Sequence, residues 1–365
     1  MATPPLTIGV EEEFLLLDPG TGQNVPVADA VRAALPPEVS ARSHAEFRHS
    51  MIEMVTPVCG DLPGLAHELT TARRAAAAAA EATGAMLVPI GATPVGEPKL
   101  GVTDNPRYRA IADYYGPIVD DPAVCGVHVH VGVPDRETAV RVGNHLRVWL
   151  PVIQAMTVNS PFHAGTDTGH ASWRAMQLDR WPALGPAPWF ASAADFDRTV
   201  ALLVGSGMML DEKLVLWHAR PSATYPTIEV RVADVPLTVD DTVLLTALVR
   251  GLVATALDDL ADGRDAPRVP GLAVEAAHWN AAHAGLDGTL TDLRENRPRP
   301  AWELVGDLVT TVRPALERHG DLPYTTDQLD RLRAEGTGAR RQREAVRRAG
   351  SLPAALGRLA RAMSA

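Results

Sequence analysis

Two rhythms of apolar residues run along this chain, one recurring every second position and one every three to four, and they mark out different elements. Alternation predicts strands over 6–17, 51–56, 86–91, 125–133 and 226–235. The longer period predicts helices over 62–84, 136–159, 194–211, 239–261, 301–319 and 326–335. The run from Ala75 to Ala80 adds intrinsic helix propensity to the first of these, and Asp135, Asp195 and Asp240 are placed to cap helix starts. Segments 160–192 and 262–300, rich in Pro, Gly and Trp, read as long loops of the kind that carry function. Strands come in clusters and helices in long blocks, without the regular alternation of a doubly wound fold. That pattern predicts an α+β protein built on a largely antiparallel sheet. No repeat, linker or boundary divides residues 1–365, so one domain is expected, with a helical C-terminal region from about 300.

Charged residues interrupt the strand patterns in a systematic way. In the stretch TIGVEEEFLLLD, Leu6, Ile8, Val10, Phe14 and Leu16 face one way while Gly9, Glu11 and Glu13 face the other. Two carboxylates about 7 Å apart on one strand face repel, and beside a core they are costly unless a cation joins them. An edge strand with its glutamates in water would satisfy the same twelve residues. The strand Cys125–Val133 repeats the design, with Val127, Val129, Val131 and Val133 on one face and Gly126, His128, His130 and Gly132 on the other. Glycine neighbours leave room for a ligand close to the backbone, and the HxH spacing also brings zinc into consideration. In Thr227–Asp234, Ile228, Val230 and Val232 form the core face, and Glu229 and Arg231 project together from the other. Glu53 breaks a fourth apolar run. Glu46, seven residues earlier, cannot share a regular strand face with it, so a turn is expected between them.

Composition narrows the chemistry. A net charge of −10 lacks the basic footprint that phosphate-backbone binding requires, which argues against a nucleic-acid partner. No apolar run is long enough to span a bilayer, and Met1–Pro5 lacks the features of a signal peptide, so a cytoplasmic, non-membrane protein is expected. Cys59 and Cys125 are too few for a disulfide framework and read as reduced core residues. The basic cluster Arg340, Arg341, Arg343, Arg347 and Arg348 reads as a solvated helix face. Glutamates, two histidines and an arginine on one sheet face suit Mg²⁺ or Mn²⁺ with phosphates better than a zinc hydrolase. Metals bridging phosphate oxygens beside an arginine are the requirements of phosphoryl transfer. No Walker loop or GxGxxG is present to hold a nucleotide by its backbone.

Four motifs in order, GVEEEFLLLDP, GVHVHVGV, SPFHAGTDTGHASWR and RPSATYPTIEVRVAD, resemble those of the carboxylate-amine ligases of the glutamate–cysteine ligase type 2 family, over residues 6 to 260. The resemblance implies a glutamine-synthetase-like fold, with a curved antiparallel sheet forming a funnel and helices outside. It also implies ATP bound with two or three Mg²⁺ ions, Mn²⁺ being an alternative. Glu11, Glu13, Glu46, Glu53 and Glu229 would be metal ligands, His128 and His130 would lie near metal and phosphate, and Arg231 would meet the γ-phosphate or a substrate carboxylate. Arg231, His128 and Glu53 are the catalytic candidates, with Arg220 and Arg174 as further anion contacts. Glu12, on the apolar side, is expected to be structural. The implied reaction joins a glutamate carboxylate, the γ one, to cysteine or another amine through an acyl phosphate. The chain departs from the pattern at Ala92-Thr93, where histidine often precedes the proline, and at His218, where an acidic residue is expected. Both bear on the acceptor. A phosphotransferase acting on a guanidino or carboxylate acceptor, and an inactive nucleotide-binding regulator, are the alternative readings; the partners expected are small-molecule substrates, with a homo-oligomer compatible with the sequence.

Overall fold

The computed structural model describes residues 6–99 and 101–364; Met1–Pro5, read above for a signal peptide, lie outside the described residues, as do Leu100 and Ala365. Strand β1 (Ile8–Leu17) leads into α1 (Ala28–Ala34), α2 (Pro37–Ser40), the hairpin of β2 (Ser43–Ala45) and β3 (Met51–Val55), then α3 (Leu62–Ala82) and β4 (Met86–Val88). There follow α4 (Pro106–Tyr115), β5 (Gly126–Gly132), α5 (Arg136–Leu146), α6 (Leu150–Thr157), the short pair β6 (Phe162–His163) and β7 (Thr166–Asp167), α7 (Trp173–Leu178) and α8 (Ala193–Gly205). Strands β8 (Ala219–Pro221) and β9 (Thr227–Asp234) precede α9 (Val239–Ala261) and α10 (Gly271–Ala284). A hairpin of β10 (Thr289–Asp292) and β11 (Arg297–Pro300) then joins α11 (Ala301–His319), α12 (Leu322–Glu335), α13 (Gly338–Ala349) and α14 (Leu352–Ser364).

The main sheet has seven strands in the order β2-β3-β1-β5-β9-β8, with β4 pairing on β1, and its pairs are antiparallel. This is the α+β architecture expected. On one face, Ile8, Val10, Val127, Val129, Val131, Ile228, Val230 and Val232 form a core with α9 and the first half of α3. Further along β1, Phe14 to Leu17 join a second cluster with α1, the second half of α3 and α14.

Glu12 lies on the helix-covered side, and its partner explains why a carboxylate is tolerated there. Arg73 of α3 donates from Nε at 2.8 Å and from Nη2 at 2.6 Å, Thr242 of α9 donates at 2.6 Å, and Arg73 also reaches the carbonyls of Pro236 and Leu237. Both side chains of this bidentate pair are buried.

Several boundaries differ from the sequence reading. The helix expected over 136–159 is two, α5 and α6, with Pro151 in the first turn of the second. The segment read as 194–211 ends at Gly205, and α12 starts at Leu322 rather than 326. Ser192 caps α8, with Asp195 as its backbone donor, and Thr238 caps α9 in a capping box with Asp241. Asp135 caps α5 as expected. The loop expected over 262–300 contains α10, whose buried face is Val274, Ala277, His278, Ala281 and Ala282. So few large apolar residues give no periodic signal. Likewise 160–192 contains α7 and the β6–β7 pair.

The arginines of α13 also depart from a purely solvated face. Arg341 pairs with Asp241 of α9, and Arg343 donates twice to Asp167 at 2.8 and 2.9 Å, whereas Arg340, Arg347 and Arg348 stay in solvent. Two members of the cluster therefore dock the C-terminal helices.

Candidate active site

The uncovered face of the sheet brings the predicted residues together by register. Glu11 stands opposite His128, Glu13 opposite Glu53, and Glu229 opposite both His130 and Arg220. Because side chains alternate, each row places its members on the same side. A register shift between Val127 and Val129 where β5 meets β9 marks a local irregularity in the ladder beside His128.

Side-chain contacts tighten this grid. His128 Nδ1 lies 2.9 Å from Glu11 Oε2, its Nε2 lies 3.8 Å from Glu13 Oε1, and Glu229 Oε1 is 4.0 Å from its Nδ1. His130 Nε2 is 3.3 Å from Glu11 Oε1, and its Nδ1 is 2.9 Å from the Thr227 hydroxyl. Arg231 pairs with Glu229, and its Nη1 is 3.3 Å from His128 Nδ1. His44, on β2, sits 3.0 Å from Glu53 Oε2. Glu46 occupies the turn between β2 and β3, so the turn expected between Glu46 and Glu53 is present.

Two ligand-like groups result: Glu11, His128 and Glu229, and Glu13, Glu53 and His128, with candidate donor atoms of each group within 4.8 Å of one another. His128 belongs to both.

Electrostatics separates the carboxylates into two classes. Burial works against ionisation of Glu11, but hydrogen bonds from His128 and His130 hold its carboxyl far below the usual range. Burial likewise opposes Glu229, and the charges of Arg231 and Arg220 bring it down to about 2. Glu46 and Glu53 go the other way. Burial pushes each up, reinforced by Glu13 and Glu53 for Glu46, and by Glu11 and Glu13 for Glu53. The protein alone thus carries more carboxylates here than its cations neutralise. A hard divalent cation fits this oxygen-rich donor set and would favour the ionised form of Glu46 and Glu53.

Arg220 and Arg174 are placed differently from the rest. Arg220 donates to Glu229 at 3.0 Å and to the Val215 carbonyl at 2.6 Å, so its guanidinium is largely committed to the protein. Arg174, on α7, packs over Gly126, where a Cβ would collide with its Nη2. It donates to the carbonyls of Val232 and Arg231 at 3.4 and 3.3 Å, lies 3.8 Å from Asp234, and leaves Nε without a hydrogen-bond partner.

Beside this face opens a cavity of about 710 Å³ whose walls include Glu13, Glu46, His128, Arg174 and Arg231. One flank is apolar, with Ile111, Val119, Trp181 and Leu214; the other carries Gln154, His218 and His278. Sequence reasoning did not single out Gln154, His278, His44 or Asp234. Asp234 accepts hydrogen bonds from the Asn159 backbone and from Ser160 and Ser172 at 2.7–2.8 Å, fixing the segment that leads into Arg174. It stands at the end of the RVAD run, an acidic residue closing a core strand, and that was a usable signal.

A family model described as glutamate-cysteine ligase family 2 matches residues 7–361. A Salinispora arenicola protein named "Putative glutamate--cysteine ligase 2" is 62% identical over 343 residues, covering 94% of this chain and 91% of that one. A Saccharopolyspora erythraea protein named "Putative glutamate--cysteine ligase 2-1" is 49% identical over 346 residues, covering 94% and 91%. Among solved structures, a glutamate–cysteine ligase of Francisella tularensis in complex with AMP gives a TM-score of 0.71 at 12% identity, over 100% of this chain and 89% of that one. A bifunctional glutathione synthetase of Pasteurella multocida gives 0.68 at 14% identity, over 98% and 52%. At these identities the structures share the fold.

Proposed function

The chain belongs to glutamate–cysteine ligase family 2, and on that premise we propose that its uncovered sheet face activates the γ-carboxylate of glutamate for attack by an amine, with cysteine the first acceptor to test. The protein is an ATP-dependent carboxylate-amine ligase that forms a C–N bond. The observation that supports the finer reading is the clustering of Glu11, Glu13, Glu53 and Glu229 around His128, with Arg231 paired to Glu229, at a place where Glu13, Glu46, His128 and Arg231 line a cavity of about 710 Å³.

A carboxylate resists attack by an amine because its charge repels the nucleophile and its oxygen leaves poorly. Transfer of the γ-phosphoryl group of ATP to that carboxylate gives an acyl phosphate, which the amine displaces to form the amide, leaving ADP and phosphate. Glu11, Glu13, Glu46, Glu53 and Glu229 would hold two or three Mg²⁺ or Mn²⁺ ions, which when bound neutralise phosphate oxygens and draw charge from the transferring group. Glu53, the ligand that β3 contributes, is buried and stands opposite Glu13 of β1. His128 orients Glu11 through its 2.9 Å contact and presents its other nitrogen toward Glu13. Arg231 offers a planar donor fork where the transferring phosphoryl group or substrate carboxylate would lie. Arg220 keeps Glu229 in place, and His130 does the same for Glu11. Arg174 is the further anion contact on the cavity side.

The reading takes residues 1–365 as one catalytic domain in which the helices beyond 300 act as a buttress. No helix among the described residues is long and apolar enough to cross a membrane. A cytoplasmic location, where ATP and glutamate are abundant, and small-molecule partners complete the proposal. The test is ADP release with ATP, Mg²⁺ and glutamate across amines led by cysteine, with mass spectrometry of the products. An amine-dependent amide supports it; a stable phosphorylated product, or turnover indifferent to glutamate, overturns it.

A further inference from the structure

Three polar side chains on the cavity wall form a chain that leads from the protein interior to the reaction face. His218 precedes β8, and its carbonyl accepts a hydrogen bond from the Arg231 N–H at 2.8 Å, so the two residues stand opposite each other in the ladder. Arg220, two residues on, reaches Glu229 on the uncovered face. Alternation therefore directs His218 to that same face, beside Arg231. Its Nδ1 lies 3.3 Å from Nε2 of His278 on α10, with ring centroids 4.3 Å apart. His278 Nδ1 in turn lies 2.5 Å from Oε1 of Gln154 on α6. All three residues line the cavity, and His278 and Gln154 are buried.

This geometry fixes where the protons sit. Burial keeps both imidazoles neutral: it holds His218 down to about 3, with the charge of Arg174 adding to the effect, and it holds His278 well below the ordinary value, helped by His218 and Arg147. Each ring then carries one proton. The Gln154 carbonyl oxygen can only accept, so His278 is protonated on Nδ1 and bare on Nε2. That bare nitrogen accepts from His218, which is protonated on Nδ1 and bare on Nε2. Among the described residues the one side-chain hydrogen bond of His218 runs through Nδ1, which leaves Nε2 to the cavity. An unshared lone pair is thus left on the cavity side, next to the arginine that faces the activated carboxylate.

From this arrangement we infer that His218 is the proton acceptor for the attacking amine, with His278 and Gln154 as the positioning residues that set its tautomer. The inference rests on the ligase reading and adds a catalytic residue to it. An ammonium substrate has no lone pair with which to attack. It gives one proton to His218 Nε2, and its nitrogen then bonds to the carbonyl carbon of the acyl phosphate. The bond from that carbon to the phosphate oxygen breaks, and phosphate departs with the electron pair and takes the second proton of the amine. The proton on His218 is returned to solvent. Arg174 and Arg231, which face His218 from α7 and β9, oppose a cation there; the doubly charged phosphate group of the intermediate offsets them while the reaction proceeds. His278, backed by Gln154, shares the imidazolium charge through the N–H···N contact.

Hydroxylamine separates this role from a structural one, because it is uncharged at neutral pH and attacks acyl phosphates without a base. The full-length protein with ATP, Mg²⁺ and glutamate is given either hydroxylamine or an amine that is protonated at neutral pH, and hydroxamate and amide are measured. In His218→Asn the ratio of hydroxamate to amide is expected to rise about 100-fold over wild type, the loss typical of a removed general base. Gln154→Leu should shift the ratio the same way by less, and Gln154→Glu, which keeps the accepting oxygen, should restore it. A proportional fall of both products in His218→Asn, or no change in their ratio, overturns the inference. Wild-type hydroxamate without an amide from any amine also overturns it while leaving carboxylate activation standing. Amide without hydroxamate from wild type overturns this inference, and neither product from wild type overturns the ligase reading and this inference with it.

Discussion

Glu12 and its neighbours Glu11 and Glu13 share a strand and a side-chain chemistry, yet the two faces of β1 use them for opposite ends. On the helix side Glu12 is matched atom for atom by Arg73 and Thr242, and the pair joins β1, α3 and α9. On the open side Glu11 and Glu13 belong to a set with too few cations, in which Glu46 and Glu53 are forced toward the protonated form. A satisfied carboxylate stabilises the fold, while an unsatisfied group of them stores affinity for something the protein does not itself contain. The difference lies in the partner, because residue type and spacing along the strand are the same.

The comparison can be broken first at Glu12. Glu12→Ala leaves the Arg73 charge buried and unpaired, and should cost about 3–5 kcal/mol in a denaturant melt, with activity per folded molecule retained. Glu229→Ala should do the reverse, cutting ADP release by about 10²–10³-fold with an unchanged circular dichroism spectrum. Near-normal turnover in Glu229→Ala would undo the assignment of the open face. Mg²⁺ should stabilise the wild type against heat, by about 2.7 kcal/mol at a concentration 100 times the dissociation constant. Glu53→Gln should lose most of that gain, whereas Glu12→Gln should keep it.

Acid should act on the helix side through Asp241. Burial raises its carboxyl, but Arg341 and Arg331 outweigh that and hold it below the usual range. Its contribution is therefore present above the unfolded carboxylate pKa, about 3.9, and disappears as pH falls through the lower folded value. Asp241→Asn should flatten stability across that window by about 1 kcal/mol, measured by melts at stepped pH.

The open face was legible in the sequence because a period of two has one solution. Once Glu11, Glu13, His128, Glu229 and Arg231 are assigned to strands with apolar alternate positions, their common side follows. Glu46 was legible for the opposite reason, since its odd spacing from Glu53 required a turn. Arg73 was hidden in TARRAAAAAA, where nothing distinguishes a buried arginine from its exposed neighbour. Gln154, His218 and His278 were illegible as a group. They come from α6, the approach to β8 and α10, more than 60 positions apart for each of their contacts except one of 60, and no periodic pattern links them. The helix that carries His278 buries mainly alanine, so the segment read as a loop. His218 drew notice only as a departure from the family pattern, and its partner supplies the physical meaning.

The sheet ends at both margins in strands of three residues, β2 and β8, and the second includes Pro221, which has no amide proton to offer. Neither margin presents a run of open backbone groups long enough to recruit a strand from another molecule. A protein that must keep one broad sheet surface accessible would otherwise risk polymerising through its own backbone. Truncated margins let that surface stay open to small molecules while closing it to fibre growth.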